Sequence, residues 1–252
     1  LLPRGVRGVH GQGVREDGRN LVEEARQAGY SVVFTRDELA ALPGSSMQIL
    51  GLFAHEQTFN EANEEVLRAQ GLPPFQPQAP RFDEMVEAAL VRLRDAPRGF
   101  LLVGNEEATD NLSGENNTPG VLEAAAGADR AIALALAEAR RNPFLTVIVA
   151  SDSDNGGMNA TGDDLDELPR PLPARSPNGS PLDSDQGQPY LTPPDARGVR
   201  QPFYVVWASG DDMGGGTVAR GFGPGAERIA GTIDSTGIYR ALYLALFGVD
   251  LD

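Results

Sequence analysis

Two apolar runs, GFLLVG at 99–104 and FLTVIVAS at 144–151, stand on either side of an alanine-rich stretch, PGVLEAAAGADRAIALALAEARR at 119–141. A run that is apolar on both faces must be covered on both, and FLTVIVAS therefore reads as a central strand of a parallel sheet. The stretch between has proline in its first turn and arginines in its last, as an α-helix prefers. Strand, helix and strand in that order predict α/β architecture. The rhythm continues on either side. A helix is expected over about 20–28 with a stop at Gly29, then strands at 31–35 and 47–55, and helices near 60–69 and 83–94. GLPPFQPQAP at 71–80 must be a loop, because proline removes backbone donors. Further strands are expected at FYVVWAS (203–209) and TVARGFG (217–223), with GDDMGGG (210–216) turning between them. DSTGIYRALYLALFG (234–248) is a closing helix with Asp234 or Ser235 as N-cap and Gly248 as C-cap. Between 152 and 202 the chain is rich in Asp, Gly, Pro and Ser without periodic pattern, which predicts a long loop or insertion. The expectation is one domain over 1–252, a three-layer sandwich around a mostly parallel central sheet.

Charge narrows the partners. The chain of 252 residues carries 36 acidic against 21 basic residues, a formal charge of -15, and every basic residue is arginine. That balance opposes nucleic acid and anionic membrane and suits a cation. No cysteine is present, which excludes a thiolate nucleophile and cysteine-ligated zinc. The first twenty residues lack the apolar core of a signal peptide, and no stretch approaches the roughly 18 apolar residues of a membrane span.

Three expected strands end in oxygen-rich loops: LLVG into Asn105, Glu106, Glu107 and Asp110; VIVAS into Asp152, Ser153 and Asp154; VVWAS into Asp211 and Asp212. Ligands bind beyond the carboxyl ends of strands in parallel α/β sheets. Carboxylates gathered there relieve their repulsion by sharing a cation, and an all-oxygen set favours Mg²⁺ or Ca²⁺. The alternative is that each caps a helix or faces solvent. DSDNGG at 152–157 begins like a calcium loop, but its fifth position is Gly156 and no helix pair flanks it, so it is not an EF-hand. The two histidines, His10 and His55, are far apart in sequence, and neither reads as a catalytic base. No nucleophile elbow, P-loop or dinucleotide fingerprint occurs, and the catalytic residues are unknown at this level.

The motifs taken in order, GY.VVFTRDEL, LGLFA, FDEMVEAAL, GFLLVGNEEATD, ADRAIALAL, TVIVASDSD, VVWASGDDMGGG and DSTGIYRALYLALFG, resemble the C-terminal half of alkaline phosphatases from about residue 13 to 248. The resemblance implies a metal-dependent phosphomonoesterase that releases phosphate through a phosphoseryl intermediate. It places the family's zinc aspartate on Asp110 and its magnesium glutamate on Asn105 or Glu106. The Asp-His pair falls on Asp152 and Ser153, a further zinc histidine near Gly114, and the last one in GDDMGG nearest Asp211 or Asp212. Every histidine of the pattern is thus replaced, so Mg²⁺ or Ca²⁺ is expected where the family uses Zn²⁺. The nucleophilic serine belongs to the family's other half, which no segment here resembles, and an accompanying N-terminal fragment is expected. The family also implies a small phosphomonoester substrate, a homodimer and a periplasmic or extracellular location. A catalytically inert metal-binding or partner-binding domain that kept the fold is the alternative. A related sulfatase, phosphodiesterase or phosphoglycerate mutase ranks last.

Overall fold

The computed structural model describes residues 1–46, 48–162 and 164–251. The chain opens with a hairpin that no periodicity announces, β1 (Arg7–Gly8) against β2 (Gly11–Gln12). Helix α1 (Leu21–Gln27) follows, begun by Asn20, whose side chain accepts from the Glu23 amide, and it buries Val22. Strand β3 (Ser31–Val33) ends two residues before the expected boundary. Thr35 explains this: its hydroxyl accepts from the Glu38 amide at 3.2 Å and so caps α2 (Arg36–Ala41), a helix that the β-branched run hides. Strand β4 (Ile49–Gly51) pairs in parallel with β3, Ser31 opposite Ile49. Met47, the expected start of that strand, lies outside the described residues.

Helices α3 (Glu64–Gln70) and α4 (Phe82–Leu93) are separated by the proline-rich loop, as expected. The loop is anchored by Phe75, whose ring meets Phe59 edge-on with centroids 4.9 Å apart. GFLLVG is not a strand. Phe100 and Leu102 pack against Val86, Leu90 and Ala131, while Leu101 and Val103 are exposed, so the segment alternates as a strand does but has no ladder beside it. Alternation is local; a ladder needs a neighbour.

Helix α5 (Ala108–Gly114) then turns sharply into α6 (Thr118–Arg141), 24 residues long. Asn117 makes the corner. Its Oδ1 accepts from the Gly120 amide and its Nδ2 donates to the Ala62 carbonyl, each at 2.8 Å, with the residue 1% exposed. Helix α6 packs along α4 and α5. Its small face, Gly120, Ala124, Gly127 and Ala131, permits that close approach.

Strand β5 (Val147–Val149) is followed by β6 (Asp154–Asn155), β7 (Asn159–Thr161), β8 (Leu182–Asp183), β9 (Tyr190–Leu191), β10 (Pro202–Val206), β11 (Asp212–Met213) and β12 (Arg220–Phe222). The stretch 152–202 is therefore not patternless loop. Strands β7, β8 and β9 all pair antiparallel with β10, and they are too short for a period of two to register. Nor is β5 central in a parallel sheet: it pairs antiparallel with β12. Among the described residues β3–β4 is the parallel pair of strands. A 3₁₀ turn (Ala226–Arg228) leads to α7 (Ser235–Phe247), which Asp234 caps at the start and Gly248 ends at φ +65°. Among the described residues, no helix is long and apolar enough to cross a membrane.

The principal core joins Val205 of β10 and Trp207 beyond it to Leu112 of α5, Val121 and Ala124 of α6, and Phe59. Leu112→Ala is expected to cost about 2–5 kcal/mol, because a residue 1% exposed leaves a cavity its neighbours cannot fill. Asn117→Ala should cost about 2 kcal/mol, the top of the range for an N-cap, since the Ala62 carbonyl also loses its donor. Phe144→Ala, at a site 86% exposed, should stay within about 0.5 kcal/mol of the parent. Urea melts of the three variants decide the order.

Candidate metal centre

Helix α5 begins at Ala108, three residues beyond the unpaired segment 99–104, and carries Asp110 in its first turn. The Asp110 carboxylate accepts a hydrogen bond from the Asn155 side-chain amide, which links the loop after 104 to the loop after 151. Asn155 sits in β6 opposite Asp212 of β11, with Asp154 opposite Met213, which adds the third loop. The backbone seals the junction. Gly156 N–H donates to the Asp211 carbonyl at 3.1 Å, the Gly156 carbonyl accepts from Ala208 at 2.8 Å, and the Asn116 side chain donates to the Ser209 carbonyl at 2.9 Å. So close an approach demands glycine at 156. It stands at φ +72°, and a methyl carbon there would lie 2.8 Å from both the Ser113 carbonyl oxygen and the Trp207 ring.

The expected ligands fall into three groups. Asp110 is joined to Asn155; Asp154 and Asp212 are exposed on the adjoining β6–β11 ladder, and Asp211 is exposed just before it. Asp152 is exposed and turned inward on its own loop, accepting from the Ser153 amide at 2.9 Å. Asn105, Glu106 and Glu107 face a different space, a cleft of about 730 Å³ that both histidines, His10 and His55, also line. There Asn105 donates to the Glu107 carboxylate at 2.6 Å, and Glu106 accepts from the Ala108 amide at 3.3 Å. Burial raises the Glu106 carboxyl above its ordinary range. His10 Nε2 lies 3.2 Å from the Phe34 carbonyl and so bears a proton, while the hairpin residue Gly11 approaches His55 closely enough that a methyl carbon there would be 3.0 Å from Nδ1.

Among the described residues no three histidine, aspartate or glutamate side chains converge as a cage for one metal ion. Metal chemistry nevertheless fits one place among the expected ligands. Asn155 Oδ1 is buried beside Asp110 without a hydrogen-bond partner, and an open amide oxygen next to a carboxylate is a donor pair suited to a hard cation. Asp110 and Asn155 could hold such an ion, with Asp154 or Asp212 within the same ladder. Reading by residue type passes over Asn155, although it is the fourth residue of DSDNGG. The two histidines are overlooked for another reason, since 45 residues of chain separate two side chains that share one cleft.

The Gly156 junction yields a quantitative expectation. Gly156→Ala should destabilise the chain by about 2–4 kcal/mol, through positive φ and overlap together. Gly179→Ala, at φ +90° with no atom near, should cost only about 1–2 kcal/mol. Equal costs in urea melts would mean the junction is not tightly packed.

A family profile described as alkaline phosphatase matches residues 3–175. Streptomycin-6-phosphate phosphatase of Streptomyces griseus is 30% identical over 91% of this chain and 51% of its own length. Alkaline phosphatase 3 of Bacillus subtilis is 23% identical over 90% of this chain and 54% of its own. The chain thus spans about half the length of these curated relatives. In three dimensions it is similar to Thermus thermophilus alkaline phosphatase, with a TM-score of 0.66 and 23% identity over 92% of this chain and 59% of that one. It is also similar to the enzyme of the Antarctic bacterium TAB5, with a TM-score of 0.60, 15% identity and 92% and 56% covered. TAB5 variants with glutamate or aspartate in place of a histidine are described with magnesium bound. The α/β fold is that of the alkaline phosphatases, and the chain belongs to the alkaline phosphatase family.

Proposed function

We propose that this chain forms part of a metal-dependent phosphomonoesterase acting on small phosphate esters, with its metal bound at Asp110 and Asn155 through oxygen ligands. The observation that carries the reading is the open Asn155 Oδ1 beside Asp110, where α5 meets β6 in an alkaline phosphatase fold. Asp154, Asp211, Asp212 and Asp152 are the further candidates for this centre. Asn105, Glu106 and Glu107, across α5, would serve a second position on the cleft side. When bound, a divalent ion in such a centre stabilises the charge that builds on a transferring phosphoryl group. Asp110 supplies the charge that attracts the ion, and the glycine-tight junction at 156 keeps Asn155 facing it. Serine at 153 and glycine at 114, where the family pattern has histidine, favour Mg²⁺ or Ca²⁺ over Zn²⁺. A homodimer outside the cytoplasm is the setting in keeping with the family.

The same replacements favour a second reading, a metal-binding domain that no longer turns over substrate. Elemental analysis of the purified chain, with p-nitrophenyl phosphate hydrolysis in added Mg²⁺, Ca²⁺ or Zn²⁺, separates the two. Bound metal, with turnover once the fragment carrying the nucleophilic serine is supplied and a loss of at least about 100-fold in Asp110→Ala, is the expected result. Bound metal without turnover supports the inert domain. A chain that takes up no metal, or hydrolyses the ester equally well without Asp110, contradicts both assignments of the site.

A further inference from the structure

A second set of buried oxygens lies away from the Asp110 centre, where the segment carrying β8 and β9 meets α3 and the start of α6. Glu64 opens α3, and Asp183 lies in β8, 8% exposed. The two carboxyls are neighbours, both within reach of the Tyr190 hydroxyl. Asp183 also accepts from the Thr118 backbone N–H and from the Tyr190 hydroxyl, each at 2.8 Å, and that hydroxyl is 3.4 Å from Glu64 Oε1. The ion pairs formed by arginines among the described residues involve neither carboxylate. The start of α6 supplies roughly half a positive charge to Asp183, less than one ionised carboxylate carries. Burial, reinforced by the neighbouring Asp183, pushes Glu64 up to about 8.

Two further atoms decide what balances that charge. Glu64 Oε2 and Thr118 Oγ1 are both buried without a partner, and Thr118, whose own amide is bonded to Asp183, is 0% exposed. A proton shared between the carboxyls would settle the line between them and leave these two oxygens orphaned. A coordinated cation gathers several oxygens at once and tolerates hydroxyl and carboxylate together.

We propose that Glu64, Asp183 and Thr118 Oγ1 bind a divalent cation of the calcium type, a structural site separate from the Asp110 centre that clamps the β8–β9 segment to α3 and α6. The proposal is independent of any phosphatase activity. Its neighbours give the clamp leverage: Leu182 beside Asp183 belongs to the cluster of Leu165, Leu172 and Tyr204, and Thr118 opens the helix that carries Val121 and Ala124 of the main core.

The test uses the full chain carrying Asp110→Ala and Asn155→Ala, which removes the two residues assigned to the first centre, stripped with chelator at a pH above 8, where Glu64 is ionised. Added Ca²⁺ at saturating concentration is expected to raise the melting temperature by about 5–10 °C. Further substitution Glu64→Gln or Asp183→Asn should remove that rise and the calcium retained in equilibrium dialysis. Glu64→Gln keeps the shape and removes repulsion, so it should fold. A calcium-induced rise that survives both substitutions overturns the proposal. So does a parent that binds no calcium and simply loses stability from about pH 4.5 to 8, as a carboxyl raised in the fold must, with the slope gone in Glu64→Gln. That outcome would assign a shared proton to the pair instead.

Discussion

The close approach of the α5 C-terminal end to the loop after β10 is the constraint on which the rest of the candidate centre depends. Three glycines make it possible. A methyl carbon at Gly156 would strike the Ser113 carbonyl and the Trp207 ring, one at Gly157 would reach Ala208 at 2.8 Å, and one at Gly210 would reach the Gly114 carbonyl at 2.9 Å. Because the backbones come this near, Asn155 can reach Asp110, Asn116 can reach Ser209, and Trp207 closes into the same core as Leu112. Packing and site geometry are one structure here. A side chain added at the junction would separate the hydrogen-bonded residues and open the core together.

Electrostatics pulls against that packing. A chain with a formal charge of -15 still places carboxylates in confined positions: Glu106 half-buried at the cleft, and Glu64 with Asp183 under the β8–β9 segment. Burial without a cationic partner disfavours the ionised forms of Glu106 and Glu64. The fold answers in part with backbone donors, the Ala108 amide for Glu106 and the Thr118 amide for Asp183. Where amides do not suffice, open oxygens remain, at Asn155 and at Glu64 with Thr118. Both places share a chemistry, hard oxygen donors with excess negative charge, and differ in setting. One is formed where α5 meets β6, the other at the start of a long helix.

Local pattern served some elements well and others poorly, for reasons specific to each. Helix α6 was legible almost to the residue, because Pro119 and the terminal arginines each act within one turn of the helix end. Helix α7 was equally clear from Asp234 and Gly248. Helix α2 was not, since Thr35 serves equally as a strand residue and as a cap. GFLLVG and VIV have the composition of buried strands, but their hydrogen bonds depend on what lies beside them, and the pattern carries no record of that. At the site, residue types singled out Asp110, Asp154, Asp211 and Asp212 near one junction, while Asp152 bonds within its own loop and Asn105, Glu106 and Glu107 turn to another cleft.

What the amino-acid order determined by itself is the family, the succession of helices with their caps, and an acidic, cysteine-free chemistry that points to hard cations. Those follow from interactions spanning a few residues, or from composition. The tertiary structure alone decided that Asn155 is the partner of Asp110, that His10 and His55 face one cleft, and that Glu64 meets Asp183 across 119 residues of chain. Such pairings depend on how closely two backbones can approach, and that is settled by side chains, or by missing ones, at positions far away in sequence.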